Sequence, residues 1–187
     1  MQLLTTLALL SASASALPAS TSSSPDLSSF YLVTSNQSTP ASNSSLLPGV
    51  SATTPYNPNP LQSSPILLRL LAPGYNSLPT FSLNTTSSVL STTLTFHNVP
   101  TTYSSSTVKS GEELQFVDTP VEGAAEGGFG VSEDGLLTVG KESKGWMVCT
   151  SQRGERTIWF GEGGSGEGCV STWVHVVAEP PYLRKRG

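Results

Sequence analysis

Charge is almost missing from the first 108 residues of this chain: only Asp26 and Arg69 carry it, and every other charged side chain lies from Lys109 onward. The formal net charge is −4 and no basic patch interrupts it, which argues against nucleic acid as a partner. There are only two cysteines, Cys149 and Cys169, and two histidines, His97 and His175. Neither type forms a cluster with metal-ligand spacing, so neither a metal site nor a cofactor is expected. No apolar run approaches the roughly 20 residues that span a bilayer. After the N-terminus no amphipathic pattern lasts three helical turns, which removes helical bundles and α/β folds from consideration.

What stands at the N-terminus is short and apolar. Leu3–Leu10 is followed by "SASASA" and Leu17-Pro18. This suits a secretory signal peptide over residues 1–16, with Ala14-Ser15-Ala16 at the cleavage site; a buried N-terminal helix is the alternative. The C-terminal "PPYLRKRG" lacks the hydrophobic tail of a lipid-anchor signal, so no membrane anchor is expected and residues 180–187 read as a basic, solvated tail. A chain poor in charge and rich in Ser and Thr would gain solubility from sugars. Three acceptor sequons fit, at Asn36, Asn43 and Asn84.

Residues 17–64 are dense in Ser, Thr and Pro, and one strand is legible there, Phe30–Val33. Prolines 55, 58 and 60 forbid a central strand, and the few apolar side chains suggest disorder over residues 36–64. From Pro65 to residue 179 the pattern changes. "ILLRLL" fits a strand or a helical turn, and short period-2 segments follow: Phe81/Leu83, Leu94/Phe96, Leu114/Phe116, Phe129/Val131 and Leu137/Val139. Asp134-Gly135 marks a hairpin between the last two. The expectation is all-β: one small antiparallel domain, barrel- or sandwich-like, with a trefoil-like arrangement among the options.

"GWMVCTSQRGERTIWFGEGGSGEGCVSTWVHVV", residues 145–177, holds both cysteines and all three tryptophans. Three strands are legible: Trp146–Cys149, Thr157–Phe160 and a central Val170–Ala178. In a secreted chain two cysteines pair. In a flat meander, however, Cys149 would lie at the top of the first strand and Cys169 at the foot of the third, two strand spacings or about 10 Å away. A disulfide needs Cα atoms no more than about 7 Å apart. Meander and disulfide exclude each other. The stretch "GEGGSGEG" resolves the conflict by returning the chain to the top, with glycines supplying the unusual φ values of a sharp path.

The patterns that suggest catalysis fail on context. Gly161, Gly163 and Gly166 match G-x-G-x-x-G but stand between strands, not before a helix. Gly135–Lys141 matches G-x-x-x-x-G-K, yet Glu142 replaces the required Ser or Thr. Gly163–Glu167 misses the final glycine of a nucleophile elbow. His97 and His175 lie in β segments and read as structural. Glu112, Glu113, Glu122, Glu126, Glu133 and Asp134 could supply a glycosidase pair, but read more simply as solvated loop charge.

The order "FYLVTS", Ser/Pro-rich insert, "SEDGLLTV", "GWMVC", Cys169 and "WVHVV" resembles small secreted proteins of filamentous fungi. It is similar to the phialide-type cell wall proteins over residues 28–35 and 103–178. The resemblance implies a β-rich, glycosylated wall or extracellular protein without known catalytic residues; cell-wall polysaccharide is the candidate partner. The leading expectation is therefore a non-enzymatic secreted protein of the fungal wall or surface. The alternative is a carbohydrate-binding module or secreted effector that stacks sugars on Trp146, Trp159 or Trp173. A glycosidase-like enzyme ranks third.

Overall fold

A computed structural model of the chain describes residues 27–39, 41–53, 65–96, 98–118, 128–151, 153–162 and 167–181. The expected signal peptide, the loose stretch that follows it, the Pro-rich residues 54–64 and the basic tail from residue 182 lie outside the described residues.

The protein is all-β. Its strands are β1 (Tyr31–Ser35), β2 (Gly49–Thr53), β3 (Ile66–Leu71), β4 (Phe81–Asn84), β5 (Val89–Phe96), β6 (Val99–Ser105), β7 (Glu112–Glu113), β8 (Gln115–Val117), β9 (Phe129–Val131), β10 (Leu137–Val139), β11 (Trp146–Thr150), β12 (Arg156–Phe160), β13 (Glu167–Ser171) and β14 (Trp173–Val177). A 3-10 turn at Ser44–Leu46 is the only helical element among the described residues. Every ladder is antiparallel, and all strands except β9 and β10 belong to one curled 12-stranded sheet.

The curl closes. β1 pairs with β14 along its whole length, and β4 pairs with β5. Phe30, just before β1, exchanges backbone bonds of 2.9 and 2.7 Å with Phe81 of β4. Phe129 of β9 donates to the carbonyl of Ser88, just before β5, at 2.8 Å. β9 pairs with β10, and Leu136 bridges to His175 of β14. The circuit β1–β4–β5–β9–β10–β14–β1 is a six-strand barrel. Three hairpins stand on it, β2–β3, β6–β8 and β11–β12. They meet each other where β3 pairs with both β8 and β12, and β7 with β12. Each unit thus runs barrel strand, hairpin, barrel strand, three times over, which is the trefoil-like form.

Alternation explains why these segments are strands. Leu32, Val50, Ile66 with Leu68, Phe81 with Leu83, Phe116, Leu137, Trp146 with Val148, Ile158, and Val174 with Val176 all point into one core. Burying such side chains is worth about 1.5–3 kcal/mol each, enough to offset the ordering of short strands. Aromatic pairs bind the core across units: Phe30 and Phe81 stack at 6.5 Å between ring centroids, and Trp146 meets Phe160 edge-on at 4.9 Å. The Asp134-Gly135 turn forms as expected, with Gly135 at φ 73° and its N–H donating to the Ser132 carbonyl.

Three expectations need correction. The domain does not begin at residue 65, because β1 and β2 are full members of the sheet and Phe30, Leu32 and Val50 are core residues. Residues 36–64 are likewise not wholly structureless: β2 pairs with β3 through five residue pairs, Gly49↔Leu71 to Thr53↔Leu67. A strand with one buried apolar side chain, Val50, is held by its partner more than by its own pattern. Finally, Val170–Ala178 is not one central strand. It divides at Thr172, leaving β14 buried between β1 and β10 while β13 is exposed throughout at the sheet edge.

Candidate functional site

The disulfide comes first, since it shapes what surrounds it. Cys149 and Cys169 are joined, with Cα atoms 4.0 Å apart. β13 lies not beside β12 but on the far edge of β11, in the order β13–β11–β12. β12 ends opposite Trp146, while β13 starts opposite Thr150 at the other end of β11. The chain therefore leaves β12 at one end of β11 and enters β13 at the other, as the cysteine pairing required. The ladder pairs Val148 with Val170 and Thr150 with Glu167, so Gly168 and Cys169 together oppose Cys149. This is a bulge with a glycine at φ 61° in its first position, and Cys169, next to the Val148↔Val170 pair, shares the face of Cys149.

On the opposite face from the disulfide is an open groove of about 270 Å³. Leu70, Val148 and Val170 give it an apolar floor, continued by Leu47 and Pro48. Thr34, Ser35, Asn36, Ser171 and Thr172 form a polar rim. Arg156 borders it and is the only charged residue among the described residues to do so. Val170 is 56% exposed, an unusual state for a valine beside the core. The two walls are tied together: Thr172 Oγ1 donates to the Ser35 carbonyl at 3.0 Å.

His175 fixes one wall from behind. It is buried, and its Nε2 lies 2.9 Å from the Gln37 carbonyl, one residue past Asn36. Burial holds its pKa below the ordinary histidine value, opposed by the Gln37 carbonyl, which favours the protonated ring. Asp134 borders the same small cavity. This is a structural histidine that clasps the segment after β1. His97 lies outside the described residues.

The tryptophans are mostly not platforms. Trp146 is 1% exposed and donates its indole N–H to the Leu137 carbonyl at 2.9 Å. Trp159 is buried as well, donating to Thr157 Oγ1, which in turn donates to Glu113 Oε1. Neither offers a ring face for stacking. Only Trp173, opposite Ser35 at the start of β14, keeps partial exposure.

The candidate carboxylates are dispersed. Glu112 pairs with Lys109 at 3.6 Å, Glu113 is tied to Thr157, and Glu133 and Asp134 stand in the exposed β9–β10 turn. Glu122 and Glu126 lie outside the described residues. Glu155, which sequence reasoning did not single out, accepts from Arg69 Nη1 at 3.0 Å. Arg69 Nε is buried without a hydrogen-bond partner among the described residues. No group of three or more His, Cys, Asp or Glu among the described residues could hold a metal ion.

The three sequon asparagines are all exposed. Asn43 Oδ1 accepts from Ser45 N–H at 3.0 Å and from Ser45 Oγ at 2.6 Å, so the third sequon residue closes a turn onto the first. Asn84 Oδ1 likewise accepts from Thr86 and Ser87 N–H groups. In both turns the carbonyl oxygen is engaged by the chain. Asn36 borders the groove.

Sequence reasoning missed the groove and Arg156. A signal existed: Arg156 shares the face of Ile158 and Phe160, so a cation stands in line with core residues. Among the described residues no helix is long and apolar enough to cross a membrane. Comparison of the chain with family models, curated proteins and solved structures finds no match.

Proposed function

We propose that this chain is a secreted, glycosylated, non-catalytic β domain of the fungal cell wall or outer surface. The Cys149–Cys169 disulfide carries the reading, because such bonds persist in oxidising compartments and are rare in the cytosol. The exposed turns at Asn43 and Asn84 support it, since an acceptor asparagine must present its amide to a bulky transferase. Fractionating a tagged culture into medium, wall and cell lysate tests the location. Intact mass before and after glycosidase treatment tests the sugars. Protein retained in the cytosol at its unmodified mass would sink the reading.

A binding role is the second reading, and its support is the groove instead of the tryptophans. An open cavity with an apolar floor, a hydroxyl-rich rim and, among the described residues, a single cation suits a small ligand. A wall polysaccharide is one partner of suitable chemistry.

A further inference from the structure

We infer that the groove between β1–β3 and β11–β13 binds a small organic carboxylate with an apolar face, anchored by Arg156. The inference goes beyond the secreted reading and holds wherever the chain resides. Arg156 makes no ion pair among the described residues, whereas Arg69 is paired with Glu155. Arg156 borders the groove whose floor is Leu70, Val148 and Val170. A cation beside apolar surface selects a ligand that brings both an anion and hydrocarbon, and the planar guanidinium matches a carboxylate through two parallel hydrogen bonds. Glu167 stands in the same cross-strand row, beyond Thr150, and its charge disfavours a multiply charged anion there.

The size and stiffness of the groove narrow the choice. About 270 Å³ is near the lower limit for ligand pockets, room for one sugar ring or a short acyl chain. The Val148↔Val170 pair on the floor is adjacent to the disulfide, which fixes its spacing from the other face. The Thr172–Ser35 bond and the His175–Gln37 contact hold the other wall. Preorganised walls spare the ordering cost that a floppy groove would charge to binding.

The test uses the full, oxidised chain and follows the methyl resonances of Leu70, Val148 and Val170 by NMR. Sodium glucuronate and sodium hexanoate are titrated beside their uncharged counterparts, methyl glucoside and hexanol. At least one carboxylate should shift those methyls saturably, with its uncharged counterpart weaker by about tenfold or more, the worth of one charge-assisted contact. Arg156→Gln should weaken the carboxylate by a similar factor without moving the melting temperature. Arg153→Gln, outside the groove, should change nothing. Response to glucuronate alone identifies an acidic sugar, to hexanoate alone an acyl chain, and to both a site that needs only the shared chemistry. Silence from both carboxylates, or an Arg156→Gln variant that binds as well as the parent, overturns the inference.

Discussion

The first unit, β1 to β4, and the third, β10 to β14, occupy equivalent places around the barrel but are made of different material. In the first, long segments separate the strands, residues 36–48 between β1 and β2 and 54–65 between β2 and β3, and Arg69 is its one charge. In the third the connections are tighter, residues 140–145 and 151–155, and the unit holds the disulfide and all three tryptophans. The third unit is specified locally, by turns, alternation and a covalent staple. The first is specified by its partners: Phe30 needs Phe81, β2 needs β3, and β1 needs β14. One geometry can thus be reached with strong local signals or with almost none, provided the core is shared.

The sharpest way to break this comparison is to weaken the first unit and read the third. Phe30 is fully buried at the seam between β1 and β4. Phe30→Ala should cost about 3–5 kcal/mol, a large part of a typical total of about 5–15. All three tryptophans lie in the third unit, so their fluorescence reports on its unfolding alone. If the barrel is one cooperative body, the urea midpoint read by tryptophan should fall by the full amount. An unchanged midpoint would make the first unit an appendage after all.

The disulfide comes next. Cys149→Ser should destabilise by about 2–5 kcal/mol, the usual loss for a native bridge in a small domain. The double variant with Cys169→Ser should be no worse than the single, because the two sulfurs act as one unit. Thiol titration of the denatured, unreduced protein should find none. A single variant as stable as the parent would mean that the β11–β13 ladder holds the groove wall without covalent help.

The same contrast explains what the sequence made legible. Asp134-Gly135, Phe129/Val131 and Leu137/Val139 announced their hairpin because turn chemistry and alternation agreed over a short span. The cysteines constrained topology as well, since their pairing was incompatible with a flat meander and β13 does cross to the far edge of β11. β2 was invisible: "GVSAT" sets one core valine among small polar residues, and the surrounding prolines and serines read as loop. The fate of Trp146 and Trp159 was equally hidden. Alternation places them on opposite faces of the hairpin, and only the covering of the outer face by Thr157 and Glu113 shows that both are buried. The groove depends on which strands become neighbours, and no local pattern encodes that.

The mildest expected effect tests the seam where the two units meet. His175 of β14 holds the Gln37 carbonyl of the first unit, and burial keeps its folded-state pKa below the ordinary value. Well above that ordinary value, about 6.5, both folded and unfolded chains carry the neutral ring, so this residue adds no pH dependence. As the pH falls through it, the unfolded chain takes up the proton first. Unfolding then gains protons, and stability declines until the folded-state value is passed. The Gln37 carbonyl favours the imidazolium and so shrinks the effect. His175→Gln keeps a donor for Gln37 but cannot titrate. Melting temperatures measured from about pH 7.5 down to 5 should therefore fall more steeply for the parent than for the variant. Amide exchange in the parent should also quicken first near Val33–Gln37 and Val174–Val177, the strands that His175 joins. Parallel melting curves would show that carboxylates elsewhere govern the acid response, leaving His175 as a fixed strut between the two units.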